Sequence, residues 1–177
     1  MPSQDIPLSR PMEAKMAWAK ACFKEKGDLL LRDERTAALL SRLREAVHAS
    51  RMAIVASGVA DKCRICEERE GGSCCGAGVE DKYDHTLLLI NLLLGIQLPK
   101  QRLNRPSCLF LGPDGCLLMA RQVICINYLC KKIENRVEPS KITALRAKEG
   151  VELEYLFLLN ERIKEQLKDQ VGSFPLP

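Results

Sequence analysis

Aromatic side chains are scarce: one Trp, three Tyr and four Phe in 177 residues. Any core must therefore be built from Leu, Ile, Val and Ala. Base-stacking platforms of the kind that bind single-stranded nucleic acid are equally short of material. With two histidines and no His-x3–5-His spacing, the two-cysteine, two-histidine zinc finger is excluded. No glycine-rich cofactor loop is present; Gly76-Ala77-Gly78 is too short to count. The longest apolar stretch, Leu87 to Ile96, is broken by Asn91 and is too short to span a bilayer. The N-terminal MPSQDIPLSRPMEAK lacks the apolar run of a secretory signal, so a cytoplasmic protein is expected.

The rest is ordinary for a globular chain: 46% hydrophobic, 28% charged, net charge +4. Such a length buries an aliphatic core without disulfides. The nine cysteines need another explanation. Eight fall in one stretch: Cys63-x2-Cys66, Cys74-Cys75, Cys108-x7-Cys116 and Cys125-x4-Cys130. In a reducing compartment, clustered cysteines point to metal ligation rather than a disulfide framework. The ninth, Cys22, sits alone on an amphipathic helix and reads as a small buried hydrophobe.

The pattern predicts a mostly α fold. Helical domain, small β-hairpin and irregular, metal-stapled cysteine loop are its three parts. Residues 1–58 are expected to hold N-terminal helices, 59–135 the cysteine-cluster metal-binding region, and 136–177 C-terminal helices packing on the same domain. Ser9 is expected to cap a first helix that runs to Lys26 and stops at Gly27. A second helix, from Asp33 to Ser57, carries Leu39, Leu40, Leu43, Val47 and Ile54 on one face, with Arg42, Arg44, Glu45 and Arg51 on the others. His48 on that helix reads as a surface group. The stretch from Asp61 to Asp84, rich in Gly, charge and Cys, reads as a loop that metal binding would order. Asp84 caps an apolar core helix ended by Gly95; His85 at its first turn reads as a capping or solvent-facing group. Pro113-Asp114-Gly115 is a turn signal, and the hairpin it makes brings Cys108 and Cys116 together. A helix over Ala120–Ile133 would separate Cys125 and Cys130 by about 500° of rotation, so they share a site only if it begins or frays between them. Leu153, Leu156, Phe157, Ile163 and Leu167 form an apolar stripe on the tail, expected to pack on the core.

Eight thiolates allow two separate tetrahedral zinc sites, one iron–sulfur cluster on four of them, or a polynuclear centre on most of them. The adjacent pair Cys74-Cys75 bears on the choice, because neighbouring side chains in extended backbone point in different directions and crowd a single ion. Around two divalent ions, −8 from the thiolates and +4 from the ions leave −4. Lys62, Arg64, Arg69, Arg105, Arg121, Lys131 and Lys132 lie near enough in sequence to offset that charge.

These cysteines, with the Cys108-Leu109-Phe110-Leu111…Asp114-Gly115-Cys116 hairpin and Arg121, resemble the YkgJ-type cysteine-cluster proteins, also described as the CxxCxxCC zinc- or iron-chelating domain. Flagellin lysine methylases carry a related cluster. The likeness covers about residues 60–132. It implies metal held by Cys63, Cys66, Cys74, Cys75, Cys108, Cys116, Cys125 and Cys130, with an iron–sulfur cluster, or one or two zinc ions, as cofactor. The gap from Cys66 to Cys74 is longer than in the compact motif. Arg121-Gln122 stands where the family has Arg-Pro, and Ile126 where it often has Arg. The expected function is a metal-binding protein acting as a redox or electron-transfer partner, alternatively a zinc-stabilised interaction module, or an enzyme related to lysine methylases. No catalytic constellation is visible: Asp81, Asp84 and His85 are the groups nearest the motif. A protein partner is expected; a nucleic-acid partner is not, since Lys131, Lys132, Arg136, Lys141, Arg146 and Lys148 read as a solvated helix face.

Overall fold

The computed structural model describes residues 7–69 and 74–169. In chain order they form α1 (Met12–Arg32), α2 (Glu34–Ala56), α3 (Val59–Arg69), a 3-10 turn (Val79–Lys82), α4 (His85–Leu93), β1 (Leu111–Gly112), β2 (Gly115–Cys116), α5 (Val123–Asn127), α6 (Lys131–Glu134) and α7 (Pro139–Asp169). The fold is mostly helical with one two-stranded antiparallel hairpin, as the sequence predicts. None of the described helices is long and apolar enough to cross a membrane.

α1 begins after Pro11, whose carbonyl accepts the Ala14 and Lys15 amides, and not at Ser9. It also runs through Gly27 instead of stopping there. The apolar repeat continues to Leu30, which is fully buried, and that packing outweighs the roughly 1 kcal/mol a mid-helix glycine costs. The Phe23 ring lies over Gly27, 3.0 Å from where a Cβ would be. Asp33 then ends α1 and caps α2, its Oδ1 accepting the Thr36 amide at 2.8 Å.

α2 packs most extensively on α7, and α1 on α4. α4 is the centre of the main apolar cluster: Leu87, Leu88, Leu89 and Ile90 are all buried, beside Leu43 and Val47 of α2, Phe110 and Leu118 of the hairpin region, and Leu159 and Ile163 of α7. Each such side chain contributes about 1.5–3 kcal/mol. The tail stripe packs on this core through Leu156, Ile163 and Leu167, with Leu153 half-buried, but Phe157 points to solvent. Within the described residues the C-terminal region is one helix after α6, continuous through Gly150. A second, smaller cluster gathers Val59 of α3, Ile133 of α6, Val137, and Leu145 of α7.

The stretch read as an irregular cysteine loop is partly helical: Cys63 and Cys66 lie on α3. Val59 anchors that helix in the smaller cluster, Asp61 pairs with Arg64 at 2.9 Å, and Lys, Arg and Glu favour helix strongly enough to fill the rest. The remainder of the expected loop includes residues 70–73, which lie outside the described residues. The expected helix over Ala120–Ile133 is also absent. It resolves into α5 and α6, separated by extended backbone at Tyr128 and Cys130. β-branched Val123, Ile124 and Ile126 are poor material for one continuous helix.

Candidate metal centre

The cysteines fall into two groups. Cys63 and Cys66 stand three residues apart on α3, hence on one face. Cys130 occupies the residue before α6 and packs against the smaller cluster. Together with Cys74 they line one cavity of about 30 Å³, rimmed by Lys62, Lys132, Ile133 and Arg136. Cys63 and Cys74 are exposed as residues. Their thiols are nonetheless crowded by protein atoms. Burial and then Cys74, Cys130 and Cys66 push the Cys63 thiol up; burial and then Cys130 push Cys74 up.

The second group belongs to the main cluster. Cys108 is buried just before β1, Cys116 ends β2, and Cys125 lies on α5; Cys75, Cys116 and Cys125 are half-buried against the same core. Burial, helped by Glu80 and Cys116, pushes the Cys108 thiol up to about 12. Burial also raises Cys125, against the opposing pull of Tyr83 and Arg121. Tyr83 is 1% exposed, its ring edge-on to Phe110 at 5.0 Å. The thiols of Cys116 and Cys125 are the ionisable groups that act on its hydroxyl. Burial, then those two thiols, raise its ionisation well above the usual range.

Backbone pairing decides the company Cys75 keeps. The Cys108 amide donates to the Cys75 carbonyl at 2.6 Å, the Ala77 amide to the Pro106 carbonyl at 2.8 Å, and Gly76 bridges Ser107. A buried carboxylate clasps this junction. Glu80 pairs with Arg102 and accepts the Gly78 amide at 3.0 Å, while Arg102 Nη1 donates to the Ser107 carbonyl at 2.6 Å. Burial pushes the Glu80 carboxyl up, but the hydrogen bonds from Arg102 and the backbone outweigh it and hold it below its ordinary value.

Three further polar groups hold the segment that joins Cys116 to Cys125. Asn91, fully buried on α4, donates to the Leu87 and Ala120 carbonyls at 2.9 and 2.8 Å and accepts the Met119 and Ala120 amides at 2.9 and 3.0 Å. Arg51 reaches from α2 to the Cys116 and Leu118 carbonyls at 3.2 and 2.7 Å, so it is not confined to a solvent face as expected. Arg121 makes a buried two-pronged pair with Glu152 of α7, both Nη2 contacts at 2.8 Å. Of these, only Arg121 is marked by the sequence pattern as site-related. Asn91 leaves a trace there as the one polar break in an apolar helix; Arg51, Glu80, Arg102 and Glu152 look like ordinary surface charge.

Among the described residues, no three or more Cys, His, Asp or Glu side chains are already arranged to hold an ion. No disulfide joins any of the nine cysteines. Cys22 is buried on α1, as expected. The other candidate groups have structural employment. Asp84 caps α4 through the Leu87 amide at 2.7 Å. Asp81 offers its carbonyl to the buried Lys15 ammonium at 2.8 Å. His85 is buried against Trp18, ring centroids 4.3 Å apart, and so does not face solvent. His48 is exposed. Beside Cys125 opens a broad groove of about 1010 Å³, in which Val123, Ile124 and Tyr128 are exposed. No protein-family model, curated protein or solved structure matches the chain.

Proposed function

We propose that this chain is a metal-binding protein that holds its metal through the clustered cysteine thiolates and serves a redox or electron-transfer partner. The observation that carries the reading is the convergence of thiols from segments far apart in sequence, Cys63 and Cys66 with Cys74 and Cys130, on one small cavity. Burial statistics alone do not assemble such a constellation from a reducing-compartment sequence. The resemblance to the YkgJ-type proteins adds the expectation of an iron–sulfur cluster, with zinc as the alternative. Cys63, Cys66, Cys74, Cys75, Cys108, Cys116, Cys125 and Cys130 are the residues that would hold it. Bound iron–sulfur would supply one-electron transfer; bound zinc would supply cohesion between segments that share little apolar surface. The partner half of the reading draws support from the exposed apolar side chains Val123, Ile124 and Tyr128 beside Cys125.

Zinc is the alternative cofactor, and one analysis separates the two. Anaerobic purification followed by metal and acid-labile sulfide analysis tests both. Iron with sulfide and a visible spectrum that bleaches on one-electron reduction supports the redox reading. Stoichiometric zinc without sulfide makes the protein a zinc-stabilised interaction module. Protein with no bound metal, and no uptake of either on reconstitution, defeats both.

A further inference from the structure

Resting on the thiolate-metal reading, we infer that the eight cysteines form two independent four-thiolate centres: an outer one from Cys63, Cys66, Cys74 and Cys130, and an inner one from Cys75, Cys108, Cys116 and Cys125. The outer centre exchanges its metal first. Three separate observations meet here. The outer four share a cavity that touches none of the inner four. All four inner cysteines pack on the main apolar cluster, whereas Cys130 of the outer set packs on the smaller one. The adjacent pair is divided between them: Cys74 lines the outer cavity, whereas the Cys75 carbonyl accepts the Cys108 amide. The adjacent pair is therefore placed to give one ligand to each centre. A tetrahedral site closes with four thiolates, which uses all eight cysteines and leaves Cys22 out.

Access separates the two centres. Cys63 and Cys74 are exposed and the outer rim carries Lys62, Lys132 and Arg136. A small anionic thiol reagent or chelator is drawn to such a rim. Cys108, by contrast, is buried, and Arg51 and Arg121 bind the inner segment to α2 and α7. The outer centre therefore opens by local motion of α3 and α6, whereas release from the inner one must also free the buried Cys108.

Cobalt(II) is the probe. The full-length reduced chain is loaded with cobalt and titrated with an organomercurial while metal release is followed with a dye; partially titrated samples are mapped by mass spectrometry. The expected result is two cobalt ions per chain, each showing tetrathiolate absorption, released in two steps. The first step coincides with modification of Cys63, Cys66, Cys74 and Cys130, and Cys22 reacts only on unfolding. Two paired variants provide the second arm: Cys63→Ser/Cys130→Ser and Cys116→Ser/Cys125→Ser should each retain one ion. Release in a single step, or first-step modification that crosses the two sets, overturns the division while leaving the thiolate-metal reading intact. Failure of the wild-type chain to bind cobalt or zinc at all overturns that reading as well.

Discussion

Asn91 is the plainest case of a residue whose purpose is invisible until its partners are known. Its amide satisfies the Ala120 carbonyl and the Met119 and Ala120 amides, which would otherwise be left unpaired beside α4, and adds a second bond to the Leu87 carbonyl. Replacing it with Leu keeps the volume and the apolar character of the helix but strands those backbone groups. Each costs about 1–3 kcal/mol when left unpaired, and partial relaxation should leave a net loss of about 3 kcal/mol. Urea unfolding of Asn91→Leu measures it; a change within about 0.5 kcal/mol, of the order of an ordinary surface substitution, would contradict this account. Asp33 gives a pH signature. Hydrogen bonds from Arg162, at 2.8 Å, and from Thr36 hold its carboxyl below the ordinary value of about 3.9. A group with a depressed folded pKa adds stability that is present above the unfolded pKa and lost as pH falls through the folded one. Asp33→Asn keeps a capping side chain but not the charge. Its deficit against wild type should therefore be visible at about pH 6 and shrink as pH falls below about 4. Water around the pair keeps the deficit small. Comparing the two chains at each pH cancels the titration of every group they share.

At the scale of elements, the hairpin and the Glu80 clasp decide where three of the cysteines stand. Gly115 sits at φ 110°, where an L side chain is strained, and pairs with Gly112 across the turn; that register sets Cys116 opposite Leu111. Glu80→Ala removes the carboxylate that holds Arg102 and the Gly78 amide. Its expected effect is faster hydrogen exchange at Cys108 and Leu109, a loss of about 2 kcal/mol, and unchanged exchange in the middle of α2 and α7. Local turn chemistry made the hairpin legible: Pro, Asp and Gly each act on their own backbone. The same locality explains the errors. Gly27 carries a helix-stop signal, but burial of Leu30 beyond it belongs to another scale and wins. The Asp61–Arg69 stretch is poor in aliphatics and reads as loop, yet one anchoring residue, Val59, and good helix formers suffice for α3.

For the whole molecule, the Arg121–Glu152 pair ties the cysteine-bearing segment to α7. Removing one partner leaves a buried charge uncompensated, so Arg121→Met should cost about 3–5 kcal/mol in urea unfolding, and the double change with Glu152→Leu should recover much of that loss. The two apolar clusters also predict an unequal response to metal removal. A chelator should deprotect α3 and α6 in hydrogen exchange while the α1–α2–α4–α7 assembly, which has its own core, stays protected. Uniform loss of protection across both would mean the clusters are not separable units.

Read alone, the chain determined that helices dominate, where most of them lie, that a hairpin follows Cys108, and that eight cysteines crowd one stretch. Those features depend on periodicity, capping, turn chemistry and spacing, which act over short intervals. Which cysteines stand together, why α4 contains an asparagine, and that Arg51 and Glu152 belong to the interior were decided only in three dimensions. Such contacts join residues from different helices, and no interval along the chain records them.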